Sequence, residues 1–410
     1  MDVICEPARL HGKINAIPSK SDAHRKLICA ALSNSASVMA IFPPFCEDIE
    51  ATIRCLEALG ARFENCMDGL HISPIDVQNK RKHAVLDCGE SGSTFRFLLP
   101  IAAVLCESAK FMGAGRLPKR PIAELANAME AHNVKFSSHQ LPFSISGHLQ
   151  GGVYQIPGNV SSQFLTGFLF ALPLCDESSE IDVITPLQSS AYVDMTMEAL
   201  RQSKIQVCSD SHMKYAINGN QKYQVNSRII IDGDWSNGAF WLGANAIGSE
   251  IDVCGLNDDS IQGDKRISTI LHDFQGNNTE MNIDMGEIPD LLPILAICAA
   301  YCNEKTQFVN AARLRLKESD RIASTSALIR ALGGNTKELT DAMTVFGGGL
   351  KGGIVDACGD HRLAMTAAIA ATMAEAPIKI LGADCVKKSY PRFFDDYQKL
   401  GGKCSVVDVW

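Results

Sequence analysis

The 410-residue sequence predicts an α/β fold made of six copies of one structural unit. Three observations lead there. Apolar helical segments with polar starts recur along the chain, amphipathic helical segments alternate with them, and short β-branched runs lie between the two kinds. The first kind comprises SKSDAHRKLICAAL from Ser19, ESGSTFRFLLPIAAVL from Glu90, NVSSQFLTGFLFALPL from Asn159, DWSNGAFWLGANAI from Asp234, EIPDLLPILAICAA from Glu287 and GDHRLAMTAAIAATMA from Gly359. Most of these carry Ser, Asn or Asp where an N-cap belongs. The second kind comprises EDIEATIRCLEALGA from Glu47, RPIAELANAMEAHNV from Arg120, AYVDMTMEALRQSKI from Ala191, GDKRISTILHDFQGN from Gly263, ESDRIASTSALIRALGG from Glu318 and SYPRFFDDYQKLGG from Ser389. Apolar positions such as Ile122, Leu125, Ala126 and Met129 follow a helical period. HAVLDC, SEIDVIT, SRIIIDG, SEIDVCG and APIKILG read as strands. The repeat is too long for a solenoid of small units. Six units can group as three and three, giving two similar domains, or close into one ring.

Composition narrows the function. With 46% hydrophobic and 20% charged residues the chain can fill two or more cores. A net charge of −8 argues against a general nucleic-acid binder and says nothing of a local cationic pocket. The N-terminus has no secretory pattern, and the longest apolar helical stretch, Leu291 to Tyr301, is too short to cross a bilayer. The 15 cysteines are scattered, with no CxxC pair and no Cys/His cluster at zinc spacing, so a reducing cytoplasm is expected and no metal. Cys298 and Cys302 read as core thiols.

The polar helix starts carry the functional signal. A helix N-terminus offers unpaired N–H groups and partial positive charge, which suits phosphate or carboxylate. In this acidic chain Lys20, Arg25, Arg96, His361 and Arg362 sit on such starts, and Arg120, Lys317, Arg321 and Lys388 lie on or just before the second kind of helix. Cations at equivalent points of a repeat imply a pocket for a polyanionic small molecule or for two anions.

At this point PSKSDAHR (Pro18 to Arg25), GESGSTFR (Gly89 to Arg96), GRLPKRPI (Gly115 to Ile122), SSQFLTG (Ser161 to Gly167), IPDLLP (Ile288 to Pro293), RLKESDR (Arg315 to Arg321), DHRLAM (Asp360 to Met365) and KKSYPRFF (Lys387 to Phe394) resemble, in order, the motifs of the 5-enolpyruvylshikimate-3-phosphate synthase family. The resemblance implies two domains, each of three βαβαββ units, with the active site in the interdomain cleft. Residues 1–17 and 233–410 would form one domain and residues 18–232 the other. It also implies transfer of the enolpyruvyl group of phosphoenolpyruvate to the 5-hydroxyl of shikimate 3-phosphate, without a cofactor, by a protein expected to be a monomer. Lys20, Ser21, Arg25, Ser161, Ser162, Gln163, Ser189, Tyr192, Asp290 and Lys317 would hold shikimate 3-phosphate. Lys20, Gly92, Arg120, Gln163, Arg321, Arg362 and Lys388 would hold phosphoenolpyruvate. Asp290 would act on the 5-hydroxyl and Glu318 at the methylene carbon, assisted by Lys20 and His361.

Two positions depart from the family pattern. Glu90 stands where many members have Asn, and Arg313 where some have Asn, so both stay outside the expected site. The related UDP-N-acetylglucosamine enolpyruvyl transferases carry a reactive Cys before their Arg-Pro, whereas MGAGRLPKRP (Met112 to Pro121) has none. A catalytically silent anion-binding relative would have little reason to keep both carboxylates and all the cations.

Overall fold

Local chemistry at the helix starts sets where the helices begin. In the computed structural model, which describes residues 1–274, 280–302 and 304–407, the polar-start segments form the helices Lys20–Ala31, Gly92–Leu105, Ser162–Ala171, Trp235–Ala246, Leu292–Cys302 and His361–Ala371. Ser91, Ser161, Asp234 and Asp360 are N-caps whose side chains each accept a backbone N–H of the first turn. The helix Leu292–Cys302 is entered instead through a 3₁₀ turn, Pro289–Leu291, which has no side-chain cap.

The amphipathic segments form Glu47–Leu59, Ala123–Glu130, Ser190–Gln202, Ile267–Phe274, Arg321–Ala331 and Phe393–Lys399. The tail of the fourth expected segment, Gln275 to Asn277, lies outside the described residues. The sixth helix starts later than its sequence pattern suggests. Ser389 and Tyr390 donate to the Val386 carbonyl and so close the preceding 3₁₀ turn Ala383–Lys388, and Pro391 disfavours helical geometry at Tyr390.

Strand pairing makes the repeat visible. The strands Ala84–Asp87, Ser108–Met112, Phe143–Gly147 and Val134–Phe136 form a sheet in that spatial order, the first pair parallel and the next two antiparallel. The same pattern recurs in Gly152–Ile156, Ser179–Val183, Lys214–Ile217 and Val207–Asp210, and in Glu280–Asp284, Lys305–Val309, Met343–Phe346 and Asn335–Glu338. With their helices these are three βαβαββ units. A fourth sheet borrows the N-terminal strand Asp2–Glu6 between Ile378–Leu381 and Lys403–Val407, with Gly353–Asp356 outermost. A fifth borrows Arg228–Ile229 as the parallel neighbour of Ser37–Met39. In the sixth copy the described residues pair Glu250–Cys254 with His11–Asn15. The expected strand SRIIIDG pairs only at Arg228 and Ile229, because the chain then leaves this sheet and the Asp232 carbonyl accepts the Ser19 N–H.

The chain divides into two compact units, Met1–Ser19 with Asp232–Trp410 and Lys20–Ile231, each with three repeats and its own apolar core. The helix Leu292–Cys302 is apolar on every side (LPILAICAAYC), and Leu292 to Ala300 are accordingly buried in the first core, with Tyr301 and Cys302 partly buried. In the second, the helices Gly92–Leu105 and Ser162–Ala171 cross closely at Gly167, where any Cβ would overlap the Arg96 carbonyl.

Candidate active site

Each unit gathers charged side chains at its helix starts. In the unit Lys20–Ile231, Lys20 Nζ lies 2.8 Å from Asp48 Oδ2, on the first turn of the neighbouring helix. Arg25, five residues further on, is buried. It donates to Thr196 Oγ1 (2.9 Å), the Ser21 carbonyl (2.6 Å) and the Tyr192 carbonyl (2.7 Å), and its guanidinium lies over the Phe97 and Tyr192 rings. Burial pushes its pKa down to about 10, still fully charged at neutral pH. Arg25 therefore anchors the backbone of both Ser21 and Tyr192.

The start of the helix Gly92–Leu105 is locked by a chain of side chains. His24 Nδ1, Thr52 Oγ1, Thr94 Oγ1 and Ser91 Oγ follow one another at 2.7, 2.6 and 2.7 Å. Beside Ser91, a Cβ on Gly92 would stand 2.5 Å from Arg120 NH1 and 2.8 Å from Arg96 NH1, so two guanidinium groups converge on a residue without a side chain. Arg96 also donates to Gln163 Oε1 (3.0 Å) and the Pro121 carbonyl (3.1 Å), while Gln163 Nε2 donates to Ser93 Oγ (3.0 Å). Glu90, whose charge would repel an anion here, packs its carboxylate against Gly115, a position with φ +55° where any Cβ would overlap that carboxylate. Ser161 caps Ser162–Ala171 by accepting the Gln163 N–H (3.3 Å). Ser189 is buried at φ +57°, a left-handed conformation that is uncommon for a non-glycine and is concentrated at functional positions.

In the other unit one carboxylate organises the cations. Asp290 Oδ1 accepts from Arg321 NH1 (2.6 Å) and Lys317 Nζ (3.3 Å), and its Oδ2 from Arg362 NH2 (3.1 Å). Arg321 is fully buried. Its remaining bonds go to Glu318 Oε2 (2.7 Å) and Asp360 Oδ2 (3.0 Å), so a single guanidinium holds three carboxylates. Asp360 in turn caps the helix His361–Ala371 and accepts Ser319 Oγ (3.0 Å), which places His361 and Arg362 at the helix start. His361 is buried, and Lys388 Nζ donates to the Gly359 carbonyl (2.8 Å) just before this cap.

The electrostatics follow from this packing. Burial alone would raise the Asp290 pKa, but Arg362, Lys317 and Arg321 outweigh it and hold the carboxyl well below its ordinary value of 3.8. Burial lowers Lys317, against the pull of Asp290, and Arg321 and Arg313 push it the same way. For Arg321 burial also acts downward, yet Asp360, Glu318 and Asp290 together raise it.

Several participants are not among the residues expected from the sequence. Asp48 and Asp360 pair with the expected cations and Ser236 accepts Arg362 NH2 at 2.8 Å, while Arg96, expected as a helix-start cation but given no ligand, sits between Gly92 and Gln163. Asp360 and Arg96 are legible as parts of DHRLAM and GESGSTFR, whereas Asp48 and Ser236 owe their roles to contacts across the fold. Cys66, Asp68 and His71 on an exposed hairpin bring ligand atoms within 4.8 Å of one another, a grouping that the cysteine spacing does not reveal. A 2.7 Å hydrogen bond between His71 Nε2 and Asp68 Oδ1 accounts for the proximity of those two.

Comparison with known proteins bears on the whole chain. Residues 4–397 match the EPSP synthase (3-phosphoshikimate 1-carboxyvinyltransferase) family. A 3-phosphoshikimate 1-carboxyvinyltransferase of Clostridium kluyveri is 40% identical over 428 aligned residues, covering 100% of this chain and 98% of its own. One from Clostridioides difficile is 37% identical and covers 98% of each. Among solved structures, an EPSP synthase from Acinetobacter baumannii superposes with a TM-score of 0.80 at 22% identity, covering 99% of this chain and 100% of its own, which establishes the likeness of fold. The chain belongs to the EPSP synthase (3-phosphoshikimate 1-carboxyvinyltransferase) family.

Proposed function

We propose that this protein transfers the enolpyruvyl group of phosphoenolpyruvate to the 5-hydroxyl of shikimate 3-phosphate, releasing phosphate, in the shikimate pathway that leads to chorismate and the aromatic amino acids. The observation that carries the reading is the pair of carboxylates, Asp290 and Glu318, held on one buried guanidinium at 2.6 and 2.7 Å among further cations. The reaction needs two such groups. The 5-hydroxyl loses its proton as its oxygen bonds to C2 of the enol, and C3 gains a proton, giving a tetrahedral adduct. Loss of a C3 proton then expels phosphate from C2 with its bridging oxygen and restores the double bond.

In this scheme Asp290 accepts the hydrogen bond of the 5-hydroxyl. A carboxylate held so far below neutrality is a weak base until its cations are partly withdrawn. Phosphate and carboxylate oxygens that engage Lys317, Arg321 and Arg362 would do this, raising Asp290 towards a range where it takes up a proton. Glu318 serves proton transfer at the methylene carbon, assisted by Lys20 and His361. Ser161, Ser162, Gln163 and Ser189 offer hydroxyl and amide groups to the shikimate phosphate, Ser21, Arg25 and Lys317 add to its hold, and Tyr192 lines the ring. Arg120, Arg362 and Lys388 neutralise phosphoenolpyruvate along with Lys20, Gln163 and Arg321, because an Arg fork matches two oxygens and Lys supplies a compact charge.

The site needs no metal in this reading, since side-chain cations meet both anions. No disulfide joins any of the cysteines among the described residues, which suits a reducing cytoplasm. No described helix is long and apolar enough to cross a membrane. We take the enzyme to act as a monomer, which sedimentation at assay concentration checks.

The test is phosphate release from phosphoenolpyruvate with alternative acceptors. Turnover with shikimate 3-phosphate and none with UDP-N-acetylglucosamine is expected. The reverse preference would move the chain's function to the related transferase, and release with neither would mark a silent binder. A second prediction concerns Gly92. Its Cβ has no room beside Arg120 and Arg96, so Gly92→Ala should displace both guanidinium groups. The Michaelis constant for phosphoenolpyruvate and the inhibition constant for an anionic analogue such as glyphosate should each rise by roughly tenfold to a hundredfold. Unchanged constants would remove this loop from the phosphoenolpyruvate site.

A further inference from the structure

Behind Arg362 lies a buried acid that the reaction scheme does not use. The 3₁₀ turn Gly263–Arg266 is pinned by Gln262, whose Oε1 accepts Ser19 Oγ (3.0 Å) and the Trp235 N–H (3.2 Å) and whose Nε2 donates to the Gly233 carbonyl (2.8 Å). The turn presents Asp264, 2% exposed, to the first turn of the helix Trp235–Ala246. There Ser236 Oγ lies 2.5 Å from Asp264 Oδ2 and accepts Arg362 NH2 at 2.8 Å. Because that oxygen is already an acceptor for Arg362, the Ser236 proton points to Asp264. Arg362 meanwhile donates to Asp290 through NH2 on Oδ2 (3.1 Å) and through NH1 on the backbone carbonyl (3.2 Å). The plane of the guanidinium is thus fixed on one side by Asp290 and on the other by a hydroxyl whose direction Asp264 sets.

We propose that Asp264 is a positioning residue of the transfer site, acting through Ser236 to hold the Arg362 guanidinium in the orientation that receives phosphoenolpyruvate. The inference rests on the reading that Arg362 binds that substrate. Its physical basis is that planar, two-point recognition of an anion fails when the fork can rotate, whereas a point charge would tolerate rotation. Burial of a carboxylate is itself costly, and here burial, with the nearby Asp290, pushes the Asp264 pKa up to about 6 against the opposing pull of Arg362 and the Ser236 hydrogen bond. Asp234, the cap of the same helix, adds a further upward push. The charged groups that shift Asp264 are Asp290, Arg362 and Asp234. Above pH 6 the carboxylate is ionised and accepts the Ser236 proton. Below it the acid is neutral and competes to donate.

The experiment is steady-state kinetics of Asp264→Asn, Ser236→Ala, Ser236→Thr and the Asp264→Asn/Ser236→Ala double variant, with Arg362→Ala as a control. Loss of one bond to a charged group corresponds to roughly tenfold. Ser236→Ala should raise the phosphoenolpyruvate KM by about that factor and Asp264→Asn, whose amide oxygen still accepts the Ser236 proton but without charge, by a smaller one, while kcat and the shikimate 3-phosphate KM move by less than about twofold. The double variant should be no worse than the poorer single one, because both act along one chain of contacts. Ser236→Thr, which keeps the hydroxyl, should restore the wild-type KM. The KM ratio of Asp264→Asn to wild type should be largest above pH 6 and shrink below it, where the wild-type acid is also neutral; ionisation of the substrates cancels in that ratio. The Asp264 pKa is raised on folding from 3.8 to about 6, so stability is lost as pH rises between those values, and the thermal stability of Asp264→Asn relative to wild type should grow over that window and level off above about pH 6. Unchanged KM in both single variants, additive effects, or equal loss in Ser236→Ala and Ser236→Thr would overturn the proposal. Should Asp264→Asn fail to fold, the Ala and Thr variants of Ser236 still decide it. An unchanged phosphoenolpyruvate KM in Arg362→Ala would instead remove Arg362 from substrate binding, a separate failure.

Discussion

Replacing Glu318 by Gln, or Asp290 by Asn, is expected to lower kcat by about a hundredfold or more, the usual contribution of a positioned acid or base. Both side chains are replaced by near-isosteres, so the Arg321 contacts at 2.7 and 2.6 Å keep an oxygen acceptor and the local packing persists. The two variants should differ in binding. Asn at 290 removes the charge that Lys317, Arg321 and Arg362 surround, leaving the cations more available to phosphate, so shikimate 3-phosphate should bind at least as tightly by calorimetry. Gln at 318 touches only the Arg321 fork among these bonds and should leave binding of that substrate nearly unchanged. Asp290 is ionised down to well below pH 3.8, so the acid limb of kcat/KM above pH 4 belongs to other groups. Near-normal turnover in either variant would remove that residue from proton transfer.

Replacing Arg321 by Met is expected to cost about 3–5 kcal/mol of stability, the range for breaking a buried ion pair from one side. Arg321 is 0% exposed, and without it Asp290, Glu318 and the buried Asp360 face one another with less compensation. Asp360 also caps the helix His361–Ala371, so repulsion there reaches the helix that positions His361 and Arg362. Arg321→Lys should recover only part of the loss, because an ammonium cannot repeat the fork that meets three carboxylates. Urea denaturation measures both. A loss under about 1 kcal/mol for Met, or full recovery for Lys, would show that the carboxylates do not depend on this cation.

The sequence discloses helices better than sheets, and cations better than their partners. A polar cap before an apolar run is local chemistry, and Ser91, Ser161, Asp234 and Asp360 are legible for that reason. Which strands pair is less local. The N-terminal Asp2–Glu6 fills a place between Ile378–Leu381 and Lys403–Val407, and no pattern in its own five residues announces it. SRIIIDG has strand composition throughout, yet pairs for two residues because the chain must cross to the other unit. At the site, Lys20, Arg25, Arg120, Lys317, Arg321 and Arg362 stand out as cations on an acidic chain. Their counter-charges do not: Asp48 and Asp264 sit among ordinary surface-like residues and acquire meaning through contacts far along the chain, Asp48 with Lys20, 28 residues away, and Asp264 with Ser236, also 28 residues away, whose hydroxyl meets Arg362. The burial of Arg321 and of Arg25 is equally invisible to periodicity, since both lie in polar helix starts.

The central claim, enolpyruvyl transfer by addition and elimination, is tested most directly by the fate of the bridging oxygen of phosphoenolpyruvate. The protein is incubated with shikimate 3-phosphate and phosphoenolpyruvate labelled with ¹⁸O between carbon and phosphorus, and the released phosphate is examined by ³¹P NMR. Phosphate carrying the label, appearing in step with an enol ether on the 5-hydroxyl, is the predicted result, because expulsion from C2 breaks the carbon–oxygen bond. Unlabelled phosphate, or none released in the presence of shikimate 3-phosphate, would contradict the account.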